Sequence, residues 1–319
     1  MLRFALPLAV LLTATPALAE KWDMPTPYGD TTFHTQNIRA FADEVKTVTG
    51  GGLEVTVHSA GSLFPHGEIK NAVRSRQVPM GEFFLSTLAN EDPAFGMDSQ
   101  PFLATSYDDA AKLWAAQRPV VEKLLATQGL MPLFSVPWPA QGLYTKAEIK
   151  SVDDLNGLRF RAYNAALEEF ATLAGAAPVQ VEAPDIPQAF STGQVEAMIT
   201  SPSTGANSKA WDFLSHYTPI NAWVPKNIVV VNKRSFDGLD AATQKAVLDA
   251  AAAAEARGLE MSMAETDAKT KELADNGITV YPPSADLVAG LQAIGDKMLD
   301  NWMAKASDDA KSALAAYQK

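Results

Sequence analysis

The 319-residue sequence contains no cysteine and only four histidines. Cysteine nucleophiles, iron–sulfur clusters and zinc sites built on thiolates are therefore excluded. The four histidines form no HExxH or HxH pair, and the sequence has neither a GxSxG nucleophile elbow nor a GxxxxGK[ST] phosphate loop. We therefore expect no enzymatic activity, no cofactor and no bound metal.

Positive charge is also scarce. The chain has 26 Lys and Arg residues against 37 Asp and Glu residues, which gives a formal net charge of −11. A nucleic-acid partner would require a basic stripe, so we expect none. The acidic balance leaves a small anionic ligand open, because one buried arginine can bind a carboxylate locally.

Long apolar runs are missing except near the N-terminus. A positive start at residues 1–3, an apolar run over residues 4–12 and the small-x-small sequence Ala17-Leu18-Ala19 are typical of a secretory signal peptide. A membrane anchor is the alternative, but the run is far shorter than the roughly 20 residues that span a bilayer. We therefore predict a cleaved signal peptide over residues 1–19 and export to the periplasm.

After residue 19, strand-like and helix-like segments alternate. Alternation of this kind predicts an α/β fold with mixed, mostly parallel sheets and helices on both faces. The length of the chain, and strand-like segments that return after its middle third, indicate two lobes. A helix from Asp240 to about residue 276, with a candidate bend at Gly258, would extend about 50 Å, so we expect both lobes to share it.

Arg161 is the strongest candidate for holding a ligand. It shares one face of a strand predicted over residues 157–161 with Arg159, because side chains alternate along a strand. It is nearer the carboxyl end, where ligands bind in open α/β sheets, and a guanidinium grips a carboxylate through two parallel hydrogen bonds. The alternative is a surface arginine paired with Glu168 or Glu169.

Several short motifs follow one another along the chain after residue 19. They are Phe41-Ala42-Asp43-Glu44-Val45, Gly61-Ser62-Leu63, Pro101-Phe102-Leu103, Asp154-Leu155-Asn156-Gly157-Leu158-Arg159-Phe160-Arg161 and Ala189-Phe190-Ser191-Thr192-Gly193-Gln194-Val195-Glu196-Ala197. In their order and spacing, the chain resembles the extracytoplasmic solute receptors of TRAP (tripartite ATP-independent periplasmic) transporters, in the dicarboxylate-receptor or DctP-type family. The resemblance covers essentially the whole chain after residue 19.

The resemblance implies a two-lobed periplasmic binding protein that closes around a small organic carboxylate and delivers it to integral-membrane TRAP subunits. It gives Arg161 the position of the family's signature arginine. We assign residues 20–138 plus about 227–266 to lobe 1 and residues 139–226 plus about 267–319 to lobe 2, with a crossing at Pro137-Trp138-Pro139, and we expect a monomer. The alternatives are a receptor for an ABC importer or a sensor kinase, and a secreted enzyme on the same fold.

The sequence departs from the family at two places. Many members carry a further arginine before the Arg161 block, but residues 138–144 contain none. The family's asparagine after the segment 189–197 is also missing, and Thr200 or Ser201 would supply a hydroxyl instead. With one cation and several aromatic residues, the site favours a monocarboxylate with an apolar or hydroxylated body over a doubly charged acid.

The remaining candidate ligand-binding residues come from loops and strand ends. The alternative for each aromatic residue among them is ordinary core packing, because aromatic side chains dominate protein cores. These candidates are Tyr28, Glu68, Phe83, Phe84, Tyr144, Trp223 and Asn227.

Overall fold

The computed structural model describes residues 19–319, so residues 1–18 of the predicted signal peptide lie outside it. The strands are β1 (Glu20–Pro25), β2 (Leu53–His58), β3 (Met80–Phe84), β4 (Leu130–Pro137), β5 (Gly142–Thr145), β6 (Arg159–Ala162), β7 (Ala177–Gln180), β8 (Ala197–Thr200), β9 (His216–Thr218), β10 (Lys226–Asn232) and β11 (Thr279–Val280).

The α-helices are α1 (Phe33–Val48), α2 (His66–Arg74), α3 (Tyr107–Thr127), α4 (Ala165–Leu173), α5 (Ile186–Ser191), α6 (Pro202–Asn207), α7 (Lys233–Asp237), α8 (Ala241–Asp275), α9 (Ala285–Lys305) and α10 (Asp308–Tyr317). Short 3-10 helices occur at Leu85–Leu88, Pro93–Ser99, Val152–Leu155, Ala183–Asp185 and Ala210–Asp212.

The first lobe is built on two small sheets. Strands β1 and β2 pair in parallel, and β10 lies between β3 and β4, antiparallel to both. Successive β10 side chains enter opposite cores: Ile228 and Val230 join one hydrophobic cluster, while Val229 and Val231 join another. The β-branched run of β10 is therefore buried on both faces, as expected for a central strand covered by helices.

The second lobe is built on a six-stranded sheet in the order β11-β9-β5-β8-β6-β7. Strand β6 is parallel to β7 and β8, whereas β5 is antiparallel to β8 and β9. The predicted two-lobed α/β architecture with mixed sheets is confirmed. The sheets contain more antiparallel pairs than the alternation suggested, because β5 and β10 each follow a crossing between the lobes instead of a helix.

Two crossing segments join the lobes and hydrogen-bond to each other. The first runs from the end of β4 to β5, and the second runs from β9 back to β10. The backbone N–H of Trp138 donates to the carbonyl of Pro225 at 2.8 Å, and that of Gln141 donates to the carbonyl of Trp223 at 3.0 Å. The two crossings therefore form a paired ribbon beside the space between the lobes.

Helix α8 is the long helix shared by both lobes. It packs against α1 and β4 of the first lobe and against α6 and β11 of the second. It passes through Gly258 as one helix. A Cβ atom at Gly258 would lie 2.4 Å from a Val136 methyl group and 2.7 Å from Nδ2 of Asn37. The glycine therefore permits close packing of α8 on the first lobe.

The C-terminal helices contact both lobes. Helix α9 packs on α4 of the second lobe, whereas α10 packs against α3 of the first. Trp302 near the end of α9 joins Leu113 and Leu314 in one apolar cluster. Among residues 19–319, no helix has both the length and the apolar character that a bilayer span requires.

Candidate ligand-binding site

A cavity lies between the two lobes, beside the crossing segments. About 410 Å³ of it is free of protein atoms, and part of this space is open to solvent. The first lobe and the first crossing line it with Tyr28, His66, Phe84, Trp138 and Gln141, and the second lobe lines it with Arg161, Tyr163, Glu182, Ala183, Thr200 and Thr204.

Arg161 provides a buried cation at this cavity. Its neighbours Phe160 and Ala162 on β6 turn into the core of the second lobe, so alternation directs Arg161 to the other face. Its Nε donates to the carbonyl oxygen of Val181 at 3.0 Å. Its Nη1 is buried and has no hydrogen-bond partner within residues 19–319, so the guanidinium retains donors for a ligand.

The electrostatics of Arg161 favour an anion. Burial lowers the pKa of Arg161 to about 10, and the nearby Tyr163 and Glu182 only partly offset this effect. The side chain is 3% exposed and still cationic at neutral pH. Burying a charge without a partner costs free energy, so a carboxylate bound at Nη1 would relieve that cost.

Glu182 and His66 form a polar contact across the two lobes. His66 Nε2 accepts a hydrogen bond from the backbone N–H of Phe84 at 3.0 Å. A neutral imidazole that accepts at Nε2 carries its proton on Nδ1, and Nδ1 lies 3.3 Å from Oε2 of Glu182. His66 therefore donates to Glu182.

The pKa of Glu182 reflects several opposing effects. Burial alone would raise it, but the hydrogen bond from His66 and the charge of Arg161 lower it below the usual value of 4.5. Glu182 is therefore ionised at neutral pH. The cavity thus offers one cation and one anion to a ligand.

Aromatic side chains form most of the remaining wall. The rings of Phe84 and Tyr163 meet edge to face across the lobes, with centroids 5.3 Å apart. The rings of Tyr28 and Trp138 are also edge to face, at 5.0 Å. These flat apolar surfaces suit a small ring or hydrocarbon body placed between the charged groups.

The structure brings four of the ten predicted site residues to the cavity and places two directly behind it. Trp223 donates from Nε1 to the Tyr163 hydroxyl at 3.2 Å, and Asn227 accepts from Nε1 of Trp138 at 2.9 Å. The residues at the cavity are Tyr28, Phe84, Arg161 and Thr200.

The other four predicted residues lie elsewhere. Glu68 is on the exposed side of α2. Phe83 enters the core of the first lobe, because it alternates with Phe84 along β3. Tyr144 is in a core of the second lobe, and its hydroxyl donates to the carbonyl of Ser201. Ser201 is fully buried and caps α6.

Sequence reasoning missed several lining residues. Tyr163 follows Arg161 by two positions, so strand alternation would have placed it on the same face. Its ring lies 5.1 Å from the Arg161 guanidinium carbon. His66 and Glu182 carry no such signal, because their contact joins residues 116 positions apart. Trp138, Gln141, Ala183 and Thr204 were likewise not identified.

Comparison with known proteins identifies related chains. The model of bacterial extracellular solute-binding protein family 7, DctP, matches residues 26–306. A curated solute-binding protein of Albidiferax ferrireducens is 26% identical over 172 residues, which cover 53% of this chain and 50% of the relative. The matched stretch thus spans about half the length of that curated relative.

Solved structures match over nearly the whole chain. The extracytoplasmic solute receptor DctP7 of Bordetella pertussis, which binds pyroglutamic acid, is 45% identical, with a TM-score of 0.93 over 94% of this chain and 100% of that one. A marine metagenome TRAP solute-binding protein specific for pyroglutamate is 44% identical, with a TM-score of 0.92 over 94% of this chain and 99% of that one. Because the family model also covers well over half of its length, this chain belongs to the bacterial extracellular solute-binding proteins of family 7.

Proposed function

We propose that the protein is a periplasmic receptor that captures pyroglutamate between its lobes and delivers it to the membrane subunits of a TRAP transporter. The observation that carries this proposal is the buried Arg161 guanidinium, whose Nη1 has no partner within residues 19–319 at a cavity between the lobes. Two receptors of known structure that are 44–45% identical to this chain are described as binding pyroglutamate, which supports the choice of ligand.

The polar groups of pyroglutamate are complementary to those of the cavity. Its single carboxylate pairs with Arg161 through charge-assisted hydrogen bonds. Its ring N–H is a donor, and the ionised Glu182 is the acceptor on the cavity wall. The apolar edges of its five-membered ring pack against the rings of Phe84 and Tyr163, which line the cavity. Thr200 lines the same cavity and is our candidate donor to the ring carbonyl.

A doubly charged acid fits this arrangement poorly. Arg161 is the sole lysine or arginine among the cavity-lining residues that the structure describes. A second ligand carboxylate would approach the like charge of Glu182, and like charges in a desolvated cleft repel strongly. The same charge pattern would accept L-proline, whose ring nitrogen is cationic, so the ring carbonyl must supply part of the selectivity.

Capture and delivery follow from the position of the cavity between the lobes. A ligand that contacts both lobes binds the closed form better than the open form, and this difference in affinity shifts the population toward closure. We propose that the closed form of a monomeric receptor docks on the membrane subunits. The lobe boundaries and the signal peptide predicted from the sequence form part of this proposal.

Isothermal titration calorimetry with four compounds tests the proposal. We expect L-pyroglutamate to bind most tightly. L-pyroglutamide lacks the negative charge, and it should bind at least about 30-fold more weakly because Arg161 then stays unpaired. L-proline, which lacks the ring carbonyl, tests the contribution of that group to affinity. Succinate tests the penalty for a second carboxylate. Equal affinity for pyroglutamate and its amide, or no binding of pyroglutamate, would contradict the proposal.

A further inference from the structure

A buried polar layer lies directly behind the aromatic wall of the cavity. Asn227, at the start of β10, is 1% exposed. Its Oδ1 accepts a hydrogen bond from Nε1 of Trp138 at 2.9 Å and another from the hydroxyl of Tyr28 at 3.3 Å. Both donors belong to residues that line the cavity. Asn227 therefore contacts the wall from behind and lies outside the cavity lining.

The orientation of the Asn227 amide is dictated by its neighbours. An indole N–H only donates hydrogen bonds, so the oxygen of the amide must face Trp138. The amide nitrogen then faces Glu82, and it donates to Oε1 of Glu82 at 2.8 Å. Asn227 thus links an acceptor on one side to two donors on the other, and an aspartate could not make both sets of contacts.

Glu82 anchors this layer inside the first lobe. It is 1% exposed on β3, and its Oε2 accepts from the hydroxyl of Thr26 at 2.5 Å. Nδ1 of His34 lies 3.3 Å from Oε1 of Glu82 but makes no hydrogen bond within residues 19–319. The two oxygens of the Glu82 carboxyl accept one hydrogen bond each from Thr26 and Asn227. A buried donor left without its acceptor costs free energy, so Glu82 holds the Asn227 amide in place.

The layer also joins the two crossing segments. Trp138 belongs to the first crossing, and Asn227 follows the second. The backbone N–H of Trp138 donates to the carbonyl of Pro225, so the side-chain bond to Asn227 is a second tie at the same place. The wall of the cavity is thus held at the point where the lobes are connected.

We propose that Glu82 and Asn227 are positioning residues that set ligand affinity without touching the ligand, by holding Trp138 and Tyr28 in the cavity wall. The proposal rests on the proposed function in one respect, because affinity is measured with pyroglutamate. It adds a determinant of affinity one layer away from the ligand.

The test uses substitutions that exchange the amide and carboxyl groups between Asn227 and Glu82. In Asn227→Asp, a carboxylate oxygen faces Glu82, and we expect the Kd for pyroglutamate to rise by about 100-fold because two buried acceptors oppose each other. Glu82→Gln should change the Kd by less than about tenfold, because the Thr26 hydroxyl can either donate or accept. The double variant should return to within about tenfold of Glu82→Gln, since the introduced glutamine amide can donate to the introduced aspartate.

Asn232→Asp is the matched control. Asn232 is a buried asparagine on the same strand, but its Nδ2 donates to the carbonyls of Val73 and Arg74, at the opposite end of β10 from Asn227. The Asn232→Asp variant should have a lower Tm than the wild type and an unchanged Kd for pyroglutamate. If Asn227→Asp also lowers only the Tm, or if the double variant binds as poorly as Asn227→Asp, the positioning role is refuted.

A ligand-independent readout separates this proposal from the proposed function. The indole N–H resonance of Trp138, assigned by its loss in Trp138→Phe, should move upfield in Asn227→Leu because its acceptor is gone. An unmoved resonance refutes the network. Wild-type protein that fails to bind pyroglutamate while this resonance shifts would contradict the proposed function alone.

Discussion

Replacing Arg161 with methionine should affect ligand binding and ligand-free stability in different directions. Methionine keeps an unbranched apolar chain and removes the guanidinium. Removing one partner of a buried, hydrogen-bonded charge pair costs about 2–5 kcal/mol. At 1.36 kcal/mol per factor of ten, the Kd for pyroglutamate should rise by a factor between about 30 and about 5,000.

The effect on the ligand-free protein follows from the pKa of Arg161. Burial lowers that pKa from 12.5 to about 10, which corresponds to roughly 3 kcal/mol at 1.36 kcal/mol for each tenfold change in proton affinity. The unfolded chain therefore binds this proton more tightly than the folded chain, so at neutral pH the buried charge destabilises the fold. This value is an upper limit, because water reaches the side chain when the lobes separate.

We therefore expect Arg161→Met to leave the free energy of unfolding without ligand unchanged or to raise it by up to about 3 kcal/mol. Urea unfolding and calorimetry together measure both effects. Arg159→Met is the matched control on the same strand, because Arg159 is half exposed and pairs with Glu196, and it should keep the wild-type Kd. A fall of more than about 2 kcal/mol in ligand-free stability, as for a core deletion, would refute this reasoning.

Three further predictions concern the anion and the shared helix. Glu182→Gln keeps an acceptor oxygen and removes the negative charge that repels a second ligand carboxylate. The ratio of the Kd for succinate to the Kd for pyroglutamate should therefore fall by about tenfold. An unchanged ratio in calorimetry would contradict this prediction. Because the pKa of Glu182 is lowered from 4.5, its stabilising contribution is present above about pH 4.5 and is lost as the pH falls through the lowered pKa. As the pH is lowered through that range, the Tm of Glu182→Gln should therefore fall less steeply than the Tm of the wild type. Parallel plots of Tm against pH for the two proteins would contradict the assignment. Gly258→Ala should lower the free energy of unfolding by about 1–3 kcal/mol through overpacking, and Val136→Ala should restore part of it; a more stable Gly258→Ala would show that helix propensity dominates.

Much of the fold was predictable because its strongest determinants are local. Asp240 correctly marked the start of α8, where its side chain accepts from the backbone N–H groups of Ala242 and Thr243. Strands β5, β7 and β9 have only three or four residues each. Segments of that length are too short to show a period-two pattern, so the second sheet was incompletely predicted.

The candidate site was predictable only in part. Strand alternation and position at a strand end indicated Arg161, and its burial at the cavity agrees with that interpretation. Phe83 and Phe84 were indistinguishable in sequence, because the sequence alone does not state which face of β3 meets the cavity. The contact between His66 and Glu182 depends on the approach of two lobes and leaves no local pattern. Asn227 was assigned to the ligand, but the structure places it behind Trp138.

The most direct test of the account is a crystal structure of the protein with L-pyroglutamate. The account predicts the ligand carboxylate within about 2.7–2.9 Å of the Arg161 guanidinium nitrogens, with the ring N–H directed at Glu182. A carboxylate bound away from Arg161, with that guanidinium turned to solvent, would contradict the central claim.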